Sequence, residues 1–95
     1  MAAYIIADIQ ITDPERYAEY IRVVPATIAR YGGRFLVRGG DHETLEGAWK
    51  PTRVVILEFP SYERAREWWN SEHYRGPRTL RQSASTGSLV LVQGV

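Results

Sequence analysis

Apolar positions recur along the chain at two periods, and each change of period marks a new element. AYIIADIQI, residues 3 to 11, is rich in β-branched side chains and reads as a strand. TDPERY then opens a helix: Asp13 suits the cap, Pro14 the first helical position, and Glu15 the positive end of the dipole. From there Tyr17, Ile21, Val24, Ile28 and Tyr31 follow at helical spacing, a stripe that faces a core. Pro25 interrupts the stripe and frees the carbonyl of Ile21, which predicts a kink rather than an end. Gly32-Gly33 stops the helix.

RFLVRGG (34 to 40) reads as a second strand, closed by a glycine pair. A loop, DHETLEGAWKP, leads to a third strand, TRVVILEF (52 to 59). Ser61 caps a second helix, SYERAREWWN, with Glu63 in its first turn. There Tyr62, Ala65 and Trp69 share one stripe, so the spacing predicts Trp69 in the core. Trp68 falls at the border of that stripe, packed on a neighbouring helix, stacked with Arg64, or walling a ligand cleft. Ser71 is a second cap, and Gly76-Pro77 is expected to break or restart the helix it opens. SLVLVQGV (88 to 95) is the last strand. The order β-α-β-β-α-β predicts an α+β fold on the ferredoxin-like plan, an antiparallel sheet with helices on one face. Residues 1–95 make one domain.

Two helices cover only one face of such a sheet, and the other face should then be polar. It is not. Tyr4 and Ile6 point away from Ile5 and Ile9, Val54 and Ile56 away from Val55 and Leu57, and Val90 and Val92 away from Leu89 and Leu91. A second copy, sheet against sheet about a two-fold axis, is the economical cover, and the expected partner is therefore the chain itself as a homodimer. With Leu36 opposite Ile56, Arg34 faces Glu58 on that outer face and Arg38 faces Val54, while Asp8 lies toward the Arg38 end and Tyr4 toward Glu58. Arg34 and Glu58 read first as a cross-strand ion pair that fixes register. The functional alternative is a carboxylate poised in the dimer cavity.

Charge narrows the classes. The net charge is +1, with 12 basic and 11 acidic residues interspersed, so no stripe suited to nucleic acid is present. Arg75, Arg78 and Arg81 form one local cluster, read first as a solvated helix face, with anion binding as the alternative. No run of ~18 apolar residues spans a bilayer, and no basic-then-apolar leader opens the chain, so a cytoplasmic location is expected. With no cysteine, thiolate catalysis and Cys-type metal sites are excluded.

No nucleophile elbow, P-loop, dinucleotide fingerprint or metal-binding helix motif occurs. His42 and His73 are the only imidazoles. His42, in RGGDHE, is a poor metal ligand beside Asp41 and Glu43, because adjacent residues rarely converge on one ion. It is a candidate general base. Arg38 and Arg53 are candidates to hold an anionic group, and Trp68 and Tyr74 to wall a cleft.

The string DPERYAEYIRVVPATIARYGGRFLVRGG, followed by LEGAWKPTRVVILEFPSYERA, resembles the domain-of-unknown-function 1330 family. Its most specific parts are YGGRFLVRGG, the run from Glu46 through EFPS, and Ser71 with Tyr74 ahead of Leu80-Arg81. The chain departs from the family pattern at Glu72-His73 and Gly76-Pro77. The resemblance implies a dimeric α+β barrel, similar to antibiotic-biosynthesis-type monooxygenases and muconolactone isomerase, with a cleft between sheet and helices that binds small organic molecules, often without a cofactor. The expected function is therefore binding of a small organic, anionic molecule, with cofactor-independent catalysis by His42 or Glu58 as its sharper form. The alternative is a non-catalytic ligand sensor or assembly dimer. No cofactor, metal, nucleic acid or membrane partner is expected.

Overall fold

The computed structural model describes residues 1–95. Its elements are β1 (Ala3–Ile11), α1 (Pro14–Arg30), β2 (Arg34–Arg38), β3 (Val54–Phe59), α2 (Tyr62–Trp69), α3 (Glu72–Ala84) and β4 (Ser85–Gln93). The four strands form one antiparallel sheet in the order β2-β3-β1-β4, the ferredoxin-like arrangement with its helices on one face. Alternation along β1 sets the layers: Ala3, Ile5, Ala7 and Ile9 are buried beneath the helices, and Tyr4, Ile6 and Asp8 face outward.

The helices start where the caps predict. Asp13, Ser61 and Ser71 accept hydrogen bonds from the backbone N–H groups of Arg16, Arg64 and Tyr74. Gly32, at φ +77°, follows the end of α1. Both internal prolines are carried inside continuous helices. Proline in a helix interior costs about 3 kcal/mol. Burial on either side outweighs that: Val24 and Ile28 flank Pro25, and Tyr74, Arg81 and Ala84 flank Pro77. The expected break at Gly76-Pro77 is therefore absent, and α3 runs on to β4.

Several boundaries move for identifiable reasons. β3 begins at Val54 rather than residue 52, because the Thr52 N–H turns to the Asp8 carboxylate at 2.9 Å. β2 stops at Arg38, where Gly39 adopts φ +73°. β4 begins at Ser85 instead of residue 88, since the turn-like residues STG pair with the far end of β1. Arg34 does stand opposite Glu58, with Nε 2.8 Å from Oε1. Beyond that pair the register shifts: Val37, not Leu36, lies opposite Ile56, and Arg38 lies opposite Val55 rather than Val54. One extra residue in β2 thus turns Arg38 from the outer face to the helix side.

The core corrects the reading of the tryptophan pair. Trp68 is the buried ring, and Trp69 is only partly buried. Trp68 stacks on Tyr74 with centroids 3.9 Å apart, meets Phe59 at 5.4 Å, and donates its indole N–H to Thr27 Oγ1 on α1 at 3.0 Å. Arg64 lies not on Trp68 but over Tyr31, and bonds Glu67 and the Arg30 carbonyl. Trp68→Ala should cost about 3–5 kcal/mol, as large-to-small core changes do. Chemical denaturation should find Trp69→Ala clearly milder.

Candidate functional site

Between α1 and the helix-side face of the sheet lies a narrow, partly open cleft of about 40 Å³. Thirteen of its 16 lining residues are hydrophobic, and Arg38, Arg53 and Arg81 are the charged ones. No carboxylate pairs with any of these three. The ion pairs of the chain are Arg34–Glu58, Arg64–Glu67 and Arg75–Glu72, all elsewhere. Guanidinium groups at the wall of an apolar cleft, without an acid, form a positive site.

Each arginine is held by a different device. Arg38 reaches the cleft through the extra residue in β2, lies 4.2 Å over the Phe35 ring, and donates from Nη2 to the Ile21 carbonyl at 3.1 Å. That carbonyl is the one Pro25 leaves without its helical partner. The Arg53 guanidinium packs on Gly39. A β-carbon there would fall 2.9 Å from Nε, and the positive φ independently favours glycine. Arg81 projects from α3 and is only 6% exposed, so the solvated face expected for it is corrected: it lies one helical stripe along from buried Tyr74, and its Nε donates to Tyr74 Oη at 3.3 Å.

The register gives the cleft a polar and an apolar end. The Arg53 carbonyl accepts from Ile9 N–H, and Arg38 pairs with Val55, which faces Ala7. Tyr17 lies beside Arg53, whose Cζ is 5.7 Å from its ring centroid. One step along the strands the lining becomes Ile5, Leu57 and Phe35, beneath Val24 and Ile28. Tyr20 and Tyr74 share a buried hydroxyl–hydroxyl bond of 2.9 Å behind this wall. Burial, then the neighbouring Tyr74, pushes the Tyr20 phenol far above its ordinary value of 10.0.

Of the residues chosen from sequence, Arg38, Arg53 and Trp68 come together in the cleft. Tyr74 is buried behind Trp68. His42 lies in the exposed loop, its Nε2 2.8 Å from the Pro51 carbonyl and its Nδ1 3.4 Å from that of Gly40. Glu58 lies on the outer face with Arg34, and neither it nor His42 lines the cleft. Spacing places Tyr17 on a core stripe without saying that a cavity lies beside it, charge alone marks Arg81 only as one of a surface cluster, and Tyr20 carries no signal in the sequence.

The model for the domain of unknown function DUF1330 matches residues 2–95. The chain belongs to this family. No match is found among curated proteins. Three solved structures extend the DUF1330 assignment at the level of fold. The RPA0582 protein of unknown function from Rhodopseudomonas palustris is 21% identical, with TM-score 0.80, over 99% of this chain and 82% of that one. SnoaB from Streptomyces nogalater, a cofactor-independent oxygenase, is 13% identical, with TM-score 0.67, over 99% and 93%. A candidate antibiotic biosynthesis monooxygenase from Nitrosomonas europaea is 14% identical, with TM-score 0.58, over 99% and 90%. At these identities the likeness is one of fold: the α+β, ferredoxin-like architecture. No helix of this DUF1330 protein is long and apolar enough to cross a membrane.

The loop from Gly39 to Arg53 is tied down by one outward-facing carboxylate. Asp8 Oδ2 accepts from the Trp49 indole at 3.0 Å, and Oδ1 from the Thr52 N–H. The indole bond, followed by the Thr52 bond, holds the Asp8 carboxyl below its ordinary 3.8. A depressed folded value means the anchor is fully present above pH 3.8 and is lost as pH falls through the folded value. On acid titration the Trp49 indole proton resonance should shift in that low window while that of Trp68 stays fixed. Asp8→Ala should abolish this step.

Proposed function

We propose that this protein binds a small organic anion in the cleft between its sheet and α1. The observation that carries the reading is three arginines on a largely apolar cleft with no acidic partner. Charged side chains at an apolar site are normally neutralised, and a ligand's negative group would supply what the chain omits. Arg38 and Arg53 would hold the anionic group and Trp68 would form part of the apolar wall. His42 and Glu58, being outside the cleft, have no role in this reading, and it assigns no reaction. The name of SnoaB as a cofactor-independent oxygenase supports small-molecule chemistry on this fold.

Dimerisation through the outer face is part of the same proposal. Leu36, Val90 and Val92 are 45%, 59% and 43% exposed there, continuous with Tyr4, Ile6 and Ile56 across the paired strands. An apolar sheet face of this kind favours a covering partner, and a second copy supplies a matching one. Glu58 and Arg34 would then belong to the interface rather than to the cleft.

Two measurements test these points. In a thermal-shift screen of acids, phenols and aldehydes, an anion at a hundred times its Kd should raise Tm by roughly 10 °C or more. Arg53→Gln should remove most of that shift, and no shift from any compound class would sink the binding reading. Light scattering should give twice the chain mass, and Val90→Lys should return it to that of one chain.

A further inference from the structure

The kind of anion a cleft admits is set by the donors that meet its charged head and by the wall that meets its body. Beside Arg38 and Arg53, the cleft holds two further polar groups, those of Tyr17 and Arg81. Tyr17 is 3% exposed, lines the cleft, and its hydroxyl makes no hydrogen bond to protein. Arg81 is 6% exposed, and the bond from its Nε to Tyr74 is the only one its guanidinium makes. No side-chain nitrogen or oxygen in the chain is both sealed from solvent and unpartnered. The Tyr17 hydroxyl and the two Nη groups of Arg81 therefore keep contact with solvent: Tyr17 lines this cleft, and Arg81 lines both the cleft and a second pocket beside Trp69, Gln82 and Ser85. Both residues are more than nine-tenths buried and line the cleft, and the chain supplies no acceptor to the Tyr17 hydroxyl or to the Arg81 Nη groups.

We propose that Tyr17 and Arg81 form a carboxylate seat at the polar end of the cleft, and that the ligand is a monocarboxylic acid with an uncharged apolar body. This rests on the cleft-binding reading above. A guanidinium edge matches the planar, two-oxygen geometry of a carboxylate, and a phenol adds a third donor. The body of the acid points toward Ile5, Val24, Ile28 and Leu57, where no charged residue lines the cleft. All three arginines cluster by Tyr17, which is why one anionic head and not two is expected. Burial raises the Tyr17 phenol above its ordinary 10.0, against the opposing pull of Arg53, Arg81 and Arg38, so at neutral pH it remains a proton-bearing donor.

The test is calorimetric titration of the full chain with butyrate, hexanoate and benzoate, each beside its neutral amide, and with phenyl phosphate. At least one acid should bind at least tenfold more tightly than its amide. Tyr17→Phe deletes an atom without protein partners, so the fold should survive, and it should weaken that acid about tenfold while sparing the amide. Arg81→Gln should weaken it further. If that variant does not fold, the acid-to-amide ratio in Tyr17→Phe decides alone. Equal binding of acids and amides, or a ratio unchanged in Tyr17→Phe, would overturn the carboxylate seat and leave the cleft reading standing. Tighter binding of phenyl phosphate than of every acid would overturn the carboxylate class. If neither acids nor amides bind, both proposals fall together.

Discussion

Everything in this molecule hangs on the one-sided cover of a four-stranded sheet. The helices bury one face around an aromatic seam, Phe59 against Trp68 against Tyr74, with the Trp68 indole pinned to Thr27 of α1. That seam fixes the spacing between α1 and the strands. Trp68, the middle ring of the seam, also lines the cleft. Stacked rings pack best in offset or tilted arrangements, so the seam sets orientation as well as distance. The opposite face receives no such cover, which is why small aliphatic side chains remain exposed along β4.

Much of this architecture was legible in the residues. Richness in β-branched side chains marked β1 to the residue, and Asp13, Ser61 and Ser71 marked three helix starts through local chemistry alone. Tertiary effects were not legible. Trp68 and Trp69 are neighbours on a short helix, and which one is buried depends on the angle at which α2 meets Phe59 and Tyr74. The extra residue at Leu36 has no local signature, since RFLVR holds neither the glycine nor the proline that commonly marks a bulge. Its consequence is large, because a slip of one residue reverses every later side chain of β2.

The cleft was legible only in part, for the same reason. Arg38 and Arg53 were candidates on charge, yet Arg38 enters the cleft because of the register shift and not because of its place in the strand pattern. Tyr17 and Arg81 sit in helical stripes that would look identical in a solid core. What distinguishes them is a missing acceptor, a property of three-dimensional surroundings that no spacing records. His42 shows the converse: a chemically capable group whose two ring nitrogens both face backbone carbonyls in the loop.

The carbonyl of Ile21 carries one more implication. Pro25 removes its helical donor, and Arg38 supplies a substitute from across the cleft mouth. Two local deficits, a broken helical ladder and a guanidinium without an acid, are settled against each other. An alanine at position 25 would repair the ladder and make α1 a better helix, while competing for the acceptor that orients Arg38. Selection for stability alone would therefore pull this position one way and selection for an ordered cleft mouth the other. A proline that looks like a flaw in α1 is, on this geometry, the hinge between the helix and the arginine it steers.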